Sequence, residues 1–180
     1  RMATQHLINL GHRRIAMIGG SAEESRGDGV PGQRAQGFRQ ALHASGLPLR
    51  PEWERDGAFT TRGGERAMTD LLSCAAGRPT GVFCQSDEIV FGALRALRRS
   101  GLSCPGDVSV IGFDDHELAE TFDVTTISQP VAAQGGAAAR WLVEQLEGGE
   151  PGNEPGARVH PVRLVLRGST GPVTAEPGHP

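Results

Sequence analysis

Hydrophobic and polar positions along the chain follow a repeated rhythm, in which a short apolar run precedes a longer amphipathic segment. The apolar runs predict buried strands at residues 15–18, 53–59, 81–84 and 108–113. Apolar residues that recur every three or four positions predict helices at residues 3–10, 34–45, 63–76 and 87–99. Residues 21–33 are polar and rich in glycine, so they predict a long loop. Strands that alternate with helices in this way indicate an α/β domain with a parallel sheet flanked by helices on both faces.

The remainder of the chain continues the pattern less regularly. It predicts a strand at 125–129, a helix at 131–147, a turn-rich linker at 148–156, a strand at 161–166 and a disordered tail from 172. Leu142 and Leu146 are the large apolar residues that this last helix would have to bury.

Polar and aromatic residues cluster where the predicted strands end. In a parallel sheet, ligands bind outside the carboxyl ends of the strands. The residues at or just beyond those ends are Arg34, Phe59, Gln85, Ser86, Asp87, Asp114 and Asp115. A guanidinium and a carboxylate form paired hydrogen bonds, and an aromatic ring covers an apolar face, which together suit a polyhydroxylated or heterocyclic ligand. The cluster therefore predicts a polar ligand cleft.

Several of these residues also have a purely structural interpretation. Asp87 is a candidate N-cap, and Phe59 is a candidate core residue. Arg34 could be a solvated residue of a first helical turn, although a positive charge there opposes the helix dipole. Asp114 is harder to explain by the fold alone, because adjacent carboxylates repel each other and add nothing to a core. We therefore predict a ligand-binding or capping role for Asp114.

Composition narrows the function further. The chain has 18 arginines but no lysine and no tyrosine, which excludes lysine nucleophiles, Walker-type phosphate loops and tyrosine acids. A net charge of −3 argues against a nucleic-acid surface on this chain alone. The three cysteines fit no zinc or disulfide pattern, and His116 has no second ligand cluster, so neither a metal nor a cofactor is predicted. The sequence contains no recognisable nucleophile motif, so an enzyme is not expected. No apolar run is long enough to span a membrane, and a cytoplasmic protein is expected.

Five segments, taken in order, resemble the lactose-repressor (LacI/GalR) family of bacterial transcription regulators. They are GHRRIAMIGG at 11–20, RAQGF at 34–38, DVSVIGFDD at 107–115, TTISQP at 125–130 and RGST at 167–170. In that family, a helix-turn-helix and a hinge helix precede a two-lobed effector-binding core similar to periplasmic sugar-binding proteins. The resemblance covers residues 3–171, and it implies that the chain corresponds to the C-terminal half of this plan.

The resemblance also implies a division of the chain. Residues 1–127 would form the C-terminal lobe of the core, residues 128–160 a segment of the N-terminal lobe, residues 161–171 a returning strand and residues 172–180 a disordered tail. The helix at 131–147 would then lack its partners. Such a helix predicts domain swapping, dimerisation or a detached position.

Individual roles follow from the same resemblance. Arg34 would hold the hydroxyls or the carboxylate of an effector, Phe59 would stack on it, and Asp114 would be the effector-binding aspartate. Ser86 or Asp87 would supply the polar pair at a neighbouring strand end.

Dimer contacts would come from the helix at 87–99 and from the turn after Asp115. Phe91 lies about 100° around that helix from its core stripe, and Phe122 is an unexplained aromatic residue near the same turn, so both are predicted at the interface.

The implied function is regulatory. A small effector, with a sugar as the first candidate and a nucleobase as another, would shift a homodimer between DNA-competent and DNA-incompetent states. Operator DNA would be bound only through an N-terminal domain that these 180 residues do not contain. The alternative is the solute-binding protein of a sugar transporter, which shares the fold.

Overall fold

A six-stranded sheet forms the centre of the structure, a computed structural model that describes residues 1–147 and 159–173. The strands are β1 Ile15–Gly19, β2 Glu54–Asp56, β3 Gly81–Cys84, β4 Ser109–Asp114, β5 Thr126–Ser128 and β6 Arg163–Val165. Their order in the sheet is β2-β1-β3-β4-β5-β6. The first five strands pair in parallel, and β6 runs antiparallel to β5. The carboxyl ends of β1 to β5 therefore lie at one edge of the sheet.

Helices cover both faces of this sheet. They are α1 Met2–Asn9, α2 Val30–Ala44, α3 Thr61–Leu72, α4 Asp87–Arg99, α5 Leu118–Thr121 and α6 Val131–Leu146. Two consecutive residues of β1 show that the core has two parts, one on each face of the sheet. Met17 packs with residues of α1 and α2, whereas Ile18 packs with residues of α3 and α4. This alternation is what a strand buried on both faces requires. The predicted α/β fold with a helix-flanked, mostly parallel sheet is confirmed.

Helices α3 and α4 pack at unusually close range through glycine. A Cβ atom on Gly92 would lie 1.9 Å from the carbonyl oxygen of Thr61, and one on Gly64 would lie 2.3 Å from that of Ile89. Only glycine allows two helix backbones to approach so closely. This contact fixes the position of α4, whose first turn lies next to the polar strand ends.

The predicted start of α2 is wrong by four residues. The helix begins at Val30 inside the segment predicted to be a loop, with Gly29 in an extended N-cap conformation and Pro31 in the first turn. Proline fits that position because its ring fixes φ near the helical value and it has no amide hydrogen to leave unbonded. Arg34 consequently lies in the second turn of α2, where the argument from the helix dipole does not apply.

The strand predicted at residues 53–59 is also shorter than expected. Trp53 belongs to a 3₁₀ turn, β2 covers only Glu54–Asp56, and Ala58 and Phe59 have φ values of 46° and 50°. A residue with positive φ cannot continue a strand. Helix α3 correspondingly begins at Thr61, two residues before the predicted start, because the hydroxyl of Thr60 accepts a hydrogen bond from the amide of Gly63 and caps it.

The last helix is placed apart from the core. None of the residues of α6 is buried, and Leu142 and Leu146 are 54% and 86% exposed. Across the parts of the chain that the structure describes, no helix is long and apolar enough to cross a membrane. The predicted linker at 148–156 and residues 174–180 of the predicted tail lie outside the described residues. The first part of that tail is described, and there the amide of Val173 donates a hydrogen bond to the carbonyl of Leu10 at 3.1 Å.

A buried carboxyl group joins α4 to the sheet and to the turn after β4. Asp87 is fully buried; its Oδ1 accepts a hydrogen bond from the Thr126 hydroxyl at 2.7 Å, and its Oδ2 accepts one from the His116 amide at 2.8 Å. Gly112 leaves the space for this carboxyl, since a Cβ atom there would lie 2.0 Å from Oδ1. Burial raises the pKa of Asp87 to about 6, although both hydrogen bonds act to lower it.

This raised pKa predicts a stability that falls as pH rises. The folded state holds the Asp87 proton more tightly than the unfolded chain, so ionisation between about pH 4 and about pH 6 should cost the fold about 3 kcal/mol. Asp87→Asn keeps an acceptor for the His116 amide and a donor for Thr126 but has no charge. In urea unfolding across that range, the wild type should lose this stability and the variant should not.

Asp107→Asn is the matched control, because the pKa of this aspartate is shifted in the opposite direction to that of Asp87. Hydrogen bonds from Ser103 lower the pKa of the exposed Asp107 carboxyl below 3.8, so the stability of this variant relative to the wild type should fall as pH rises to about 4 and should then stay constant up to pH 7. If the difference in free energy of unfolding between the wild type and Asp87→Asn does not change from pH 4 to pH 7, the raised pKa assigned to Asp87 is contradicted.

Candidate ligand-binding site

Arg34 and Asp114 meet at the carboxyl edge of the sheet, as their positions in the sequence predicted. The guanidinium Nη2 lies 3.2 Å from Asp114 Oδ1, and Nη1 donates to the backbone carbonyl of Gln85. The guanidinium carbon also lies 3.9 Å from the ring centroid of Phe113, a cation–π contact. Arg34 thus spans from α2 to the ends of β3 and β4.

A second donor completes the surroundings of Asp114. The side-chain amide of Gln129, just after β5, donates a hydrogen bond to the same carboxylate oxygen that Arg34 contacts. The side chains of Arg34 and Asp114 are 15% and 33% exposed, so the pair is largely buried but remains open on the side of the carboxylate. The carboxylate can therefore accept a further hydrogen bond from a ligand hydroxyl.

Burial opposes the charge on both partners of this pair. It lowers the pKa of Arg34 by more than the neighbouring Asp114 and Asp87 carboxylates raise it. Burial likewise raises the pKa of Asp114, although Arg34 and Gln129 act to lower it. Because both shifts favour the neutral forms, desolvation outweighs the mutual attraction of the two charges.

The backbone that presents Asp114 is strained. Asp114 and Asp115 have φ values of 114° and 61°, in the region that residues with a side chain rarely adopt. Asp115 does not share the partner of Asp114: its carboxylate oxygen lies 2.9 Å from the guanidinium of Arg167. The adjacent carboxylates are thus each compensated by a different arginine.

Ser86 and Asp87 lie beside this pair but have different surroundings. Ser86 occupies the N-cap position of α4 without capping it, and its buried hydroxyl has no hydrogen-bond partner within the described protein. Asp87 is not the N-cap; both of its oxygens bind His116 and Thr126, as described above. The structure therefore leaves a free hydrogen-bonding group on Ser86 and none on Asp87.

Phe59 lies at the other end of the same edge, beyond β2. Its ring covers Gly20 at the end of β1, so closely that a Cβ atom on Gly20 would lie 3.2 Å from the ring carbon Cε2. The ring is half-buried against the core on the α3 and α4 side. Phe59 thus remains partly exposed at the end of the sheet away from Asp114.

Phe91 and Phe122 form a separate aromatic cluster on the outside of α4. Their ring centroids are 5.2 Å apart, and the His116 ring lies 5.7 Å from that of Phe91. Phe122 is 53% exposed. His116 Nδ1 accepts a hydrogen bond from the Leu118 amide, and no group of three or more potential metal ligands occurs in residues 1–147 and 159–173.

The structure adds three residues for which no site role was predicted: Phe113 contacts Arg34, Gln129 donates to Asp114, and Arg167 donates to Asp115. Phe113 and Gln129 each lie within one residue of a predicted strand end, which is a usable signal. Arg167 stands in the RGST segment quoted above, but nothing local indicated its contact with Asp115, because that contact depends on the antiparallel return of the chain beside β5.

Comparisons with known proteins agree with the fold. Residues 4–170 match the family described as periplasmic binding protein-like domain. The repressor CytR of Escherichia coli (strain K12) is 38% identical over 170 residues, which make up 93% of this chain and 48% of the relative. The chain therefore spans about half the length of the curated relatives it matches.

Solved structures give the same result. The CelR–cellobiose complex, a transcriptional regulator, is 40% identical with a TM-score of 0.82, and the match covers 93% of this chain and 50% of that one. The lac repressor dimer bound to operator and the anti-inducer ONPF is 28% identical with a TM-score of 0.81, covering 94% and 58%. With its helix-flanked, mostly parallel sheet and these matches, the chain belongs to the LacI family of transcriptional regulators, in their periplasmic binding protein-like domain.

Proposed function

We propose that this chain is the effector-binding and dimerisation domain of a DNA-binding repressor, and that the effector is a small polyhydroxylated molecule, a sugar in the first place. The observation that carries the proposal is the Arg34–Asp114 pair, which lies at the strand ends and is largely buried, with the Asp114 carboxylate one-third exposed. Burial destabilises both charges of the pair. A ligand that adds hydrogen bonds to both would therefore be bound favourably.

The chemistry of the pair suits vicinal hydroxyl groups. A hydroxyl both donates and accepts, so one can donate to Asp114 while its neighbour accepts from Arg34. The unpartnered hydroxyl of Ser86 supplies a further donor and acceptor at the end of β3. The partly exposed Phe59 ring is suited to cover the apolar face of a pyranose. Asp87 enters this proposal only through the packing of α4, since neither of its oxygens is free.

The exposed side of α6 supports the proposed division of the parent protein into two lobes. Residues 1–127 would form one lobe, and residues 128–160 would pack into another lobe whose remaining elements these 180 residues do not supply. A helix that leaves Leu142 and Leu146 exposed is expected to be covered in the complete protein. Closure of two lobes on a sugar would then couple the site to the rest of the regulator.

Regulation requires that the effector bind two states of the protein with different affinity. In the proposed scheme, the intact repressor binds operator DNA in the cytoplasm through a segment outside this chain. The net charge of −3 on this chain is compatible with that scheme, because the DNA phosphates would be bound by another domain.

The aromatic cluster supports a homodimer. Phe122 is half-exposed, and the ring of the partly buried Phe91 in α4 packs against it at a tilted angle of 42°. Aromatic residues surrounded by polar positions are enriched at the centres of protein interfaces. We therefore assign Phe91 and Phe122 to a symmetric dimer contact.

Asp114→Asn should weaken effector binding while it preserves the fold, because asparagine tolerates positive φ but removes the charge. A hydrogen bond to a charged group contributes about 1.5–3 kcal/mol, which corresponds to a loss of roughly 10- to 150-fold in affinity. The affinities of the wild type and the variant are measured by isothermal titration of the intact protein with cellobiose, D-ribose, D-glucose and adenosine.

Asp123→Asn is the matched control, because Asp123 is an exposed aspartate that also has positive φ but lies outside the site. Its affinity should equal that of the wild type. Equal affinity of Asp114→Asn for a bound probe, or no binding of any probe by the wild type, would count against the proposed function.

Phe122→Ala should weaken dimerisation by about tenfold or more, since truncating a central aromatic anchor commonly costs more than about 1.4 kcal/mol. Sedimentation velocity over a concentration series of the intact protein gives the dissociation constant. Leu49→Ala truncates a side chain of comparable exposure (46%) on another surface and should leave the constant unchanged. A Phe122→Ala variant that dimerises like the wild type would place the interface elsewhere.

A further inference from the structure

The turn that carries Asp114 has a conformation that its own sequence does not favour. Asp114 and Asp115 both have positive φ, although neither is glycine. Such a conformation persists only where surrounding contacts impose it. The contacts that hold this turn therefore decide where the Asp114 carboxylate lies.

Arg167 contacts the turn with its side chain from outside it. Its Nη2 donates to Asp115 Oδ1 at 2.9 Å, and its Nη1 donates to the carbonyl of Val124 at 2.8 Å. The side chains of Arg167 and Asp115 are only 17% and 18% exposed. A guanidinium with two acceptors at fixed positions is restricted in orientation as well as in place.

The backbone of Arg167 is itself fixed. Its amide donates to the Thr125 hydroxyl at 2.9 Å, and the same hydroxyl donates to the Arg167 carbonyl at 2.8 Å. Thr125 precedes β5, so the base of the arginine side chain is attached to the sheet. Arg167 thus reaches from a rigid support to the strained turn.

On its other side the turn is held by Asp87, which accepts the hydrogen bond of the His116 amide at 2.8 Å. Asp115 and His116 are therefore both anchored, by groups that lie on different elements of the fold. Asp114, immediately before them, is left with its contacts to Arg34 and Gln129.

We propose that Arg167 is a positioning residue for ligand binding, which holds Asp115 and thereby keeps the Asp114 carboxylate beside Arg34. This inference rests on the proposed function, because it assumes that Asp114 binds the effector. Arg167 itself makes no contact with the effector in this scheme. It acts only through the conformation of the turn.

Arg163 provides a matched comparison on the same returning segment. Its Nη2 lies 3.7 Å from Asp115 Oδ2, and its side chain is 73% exposed. It carries the same charge and approaches the same carboxylate, but solvent screens that weak contact. Arg163 should therefore contribute little to the position of the turn.

The test is isothermal titration of the intact protein with cellobiose, D-ribose, D-glucose and adenosine. It compares the wild type with Arg167→Ala, Arg163→Ala, Asp114→Asn and the double variant Asp114→Asn/Arg167→Ala. Arg167→Ala should lower the affinity for the bound probe about tenfold or more, and Arg163→Ala should change it less than twofold. In the Asp114→Asn background, Arg167→Ala should add less than a twofold loss, because the group it positions is already removed.

Asp115→Asn replaces Arg167→Ala in this cycle if the latter does not fold, since it weakens the same contact while it keeps an oxygen acceptor. An affinity of Arg167→Ala, or of its replacement, equal to that of Arg163→Ala would overturn the positioning role. An equal loss in the wild-type and Asp114→Asn backgrounds would overturn it as well, because a general structural defect gives that result. If Asp114→Asn alone changes nothing, or if no probe binds, the proposed function fails and this inference fails with it.

Discussion

The carboxyl edge of the sheet depends on one electrostatic arrangement, in which two adjacent carboxylates are each paired with a different arginine. Asp114 is paired with Arg34 from α2, and Asp115 is paired with Arg167 from the segment after β6. Without these cations, two neighbouring negative charges would repel each other in a partly buried position. The turn after β4 therefore connects elements from both halves of the chain, and the position of the candidate site follows from that connection.

Two partly buried arginine–carboxylate pairs of α2 differ in what they do for the fold. Arg39 donates to both oxygens of Glu54, at 3.1 and 2.6 Å, and this contact raises the pKa of Arg39. The contact favours the charged form of Arg39, as expected of a bidentate bridge that stabilises structure. The Arg34–Asp114 pair has the opposite character, because burial acts against both charges. A pair at the end of a buried strand in which burial opposes both charges is better explained by binding than by folding.

The alternation of apolar runs and amphipathic segments was enough to predict the sheet, and the rule that ligands bind at the carboxyl ends of its strands was enough to bring Arg34 and Asp114 together. Side-chain direction was not predictable in the same way. Asp87 turns inward because a glycine on β4 leaves room for it and Thr126 on β5 donates to it, and both are distant in sequence. Arg167 reaches Asp115 only because the chain returns antiparallel beside β5. Such tertiary contacts leave no local pattern.

The most direct test of the account is a comparison of urea unfolding midpoints for two double variants that remove one pair each. Arg34→Gln/Asp114→Asn should unfold at the same urea concentration as the wild type or at a higher one, because two poorly solvated charges are lost. Arg39→Gln/Glu54→Gln should unfold at a lower concentration, because a bidentate bridge is lost. If Arg34→Gln/Asp114→Asn lowers the midpoint as much as the control does, the Arg34–Asp114 pair stabilises the fold and the central claim is contradicted.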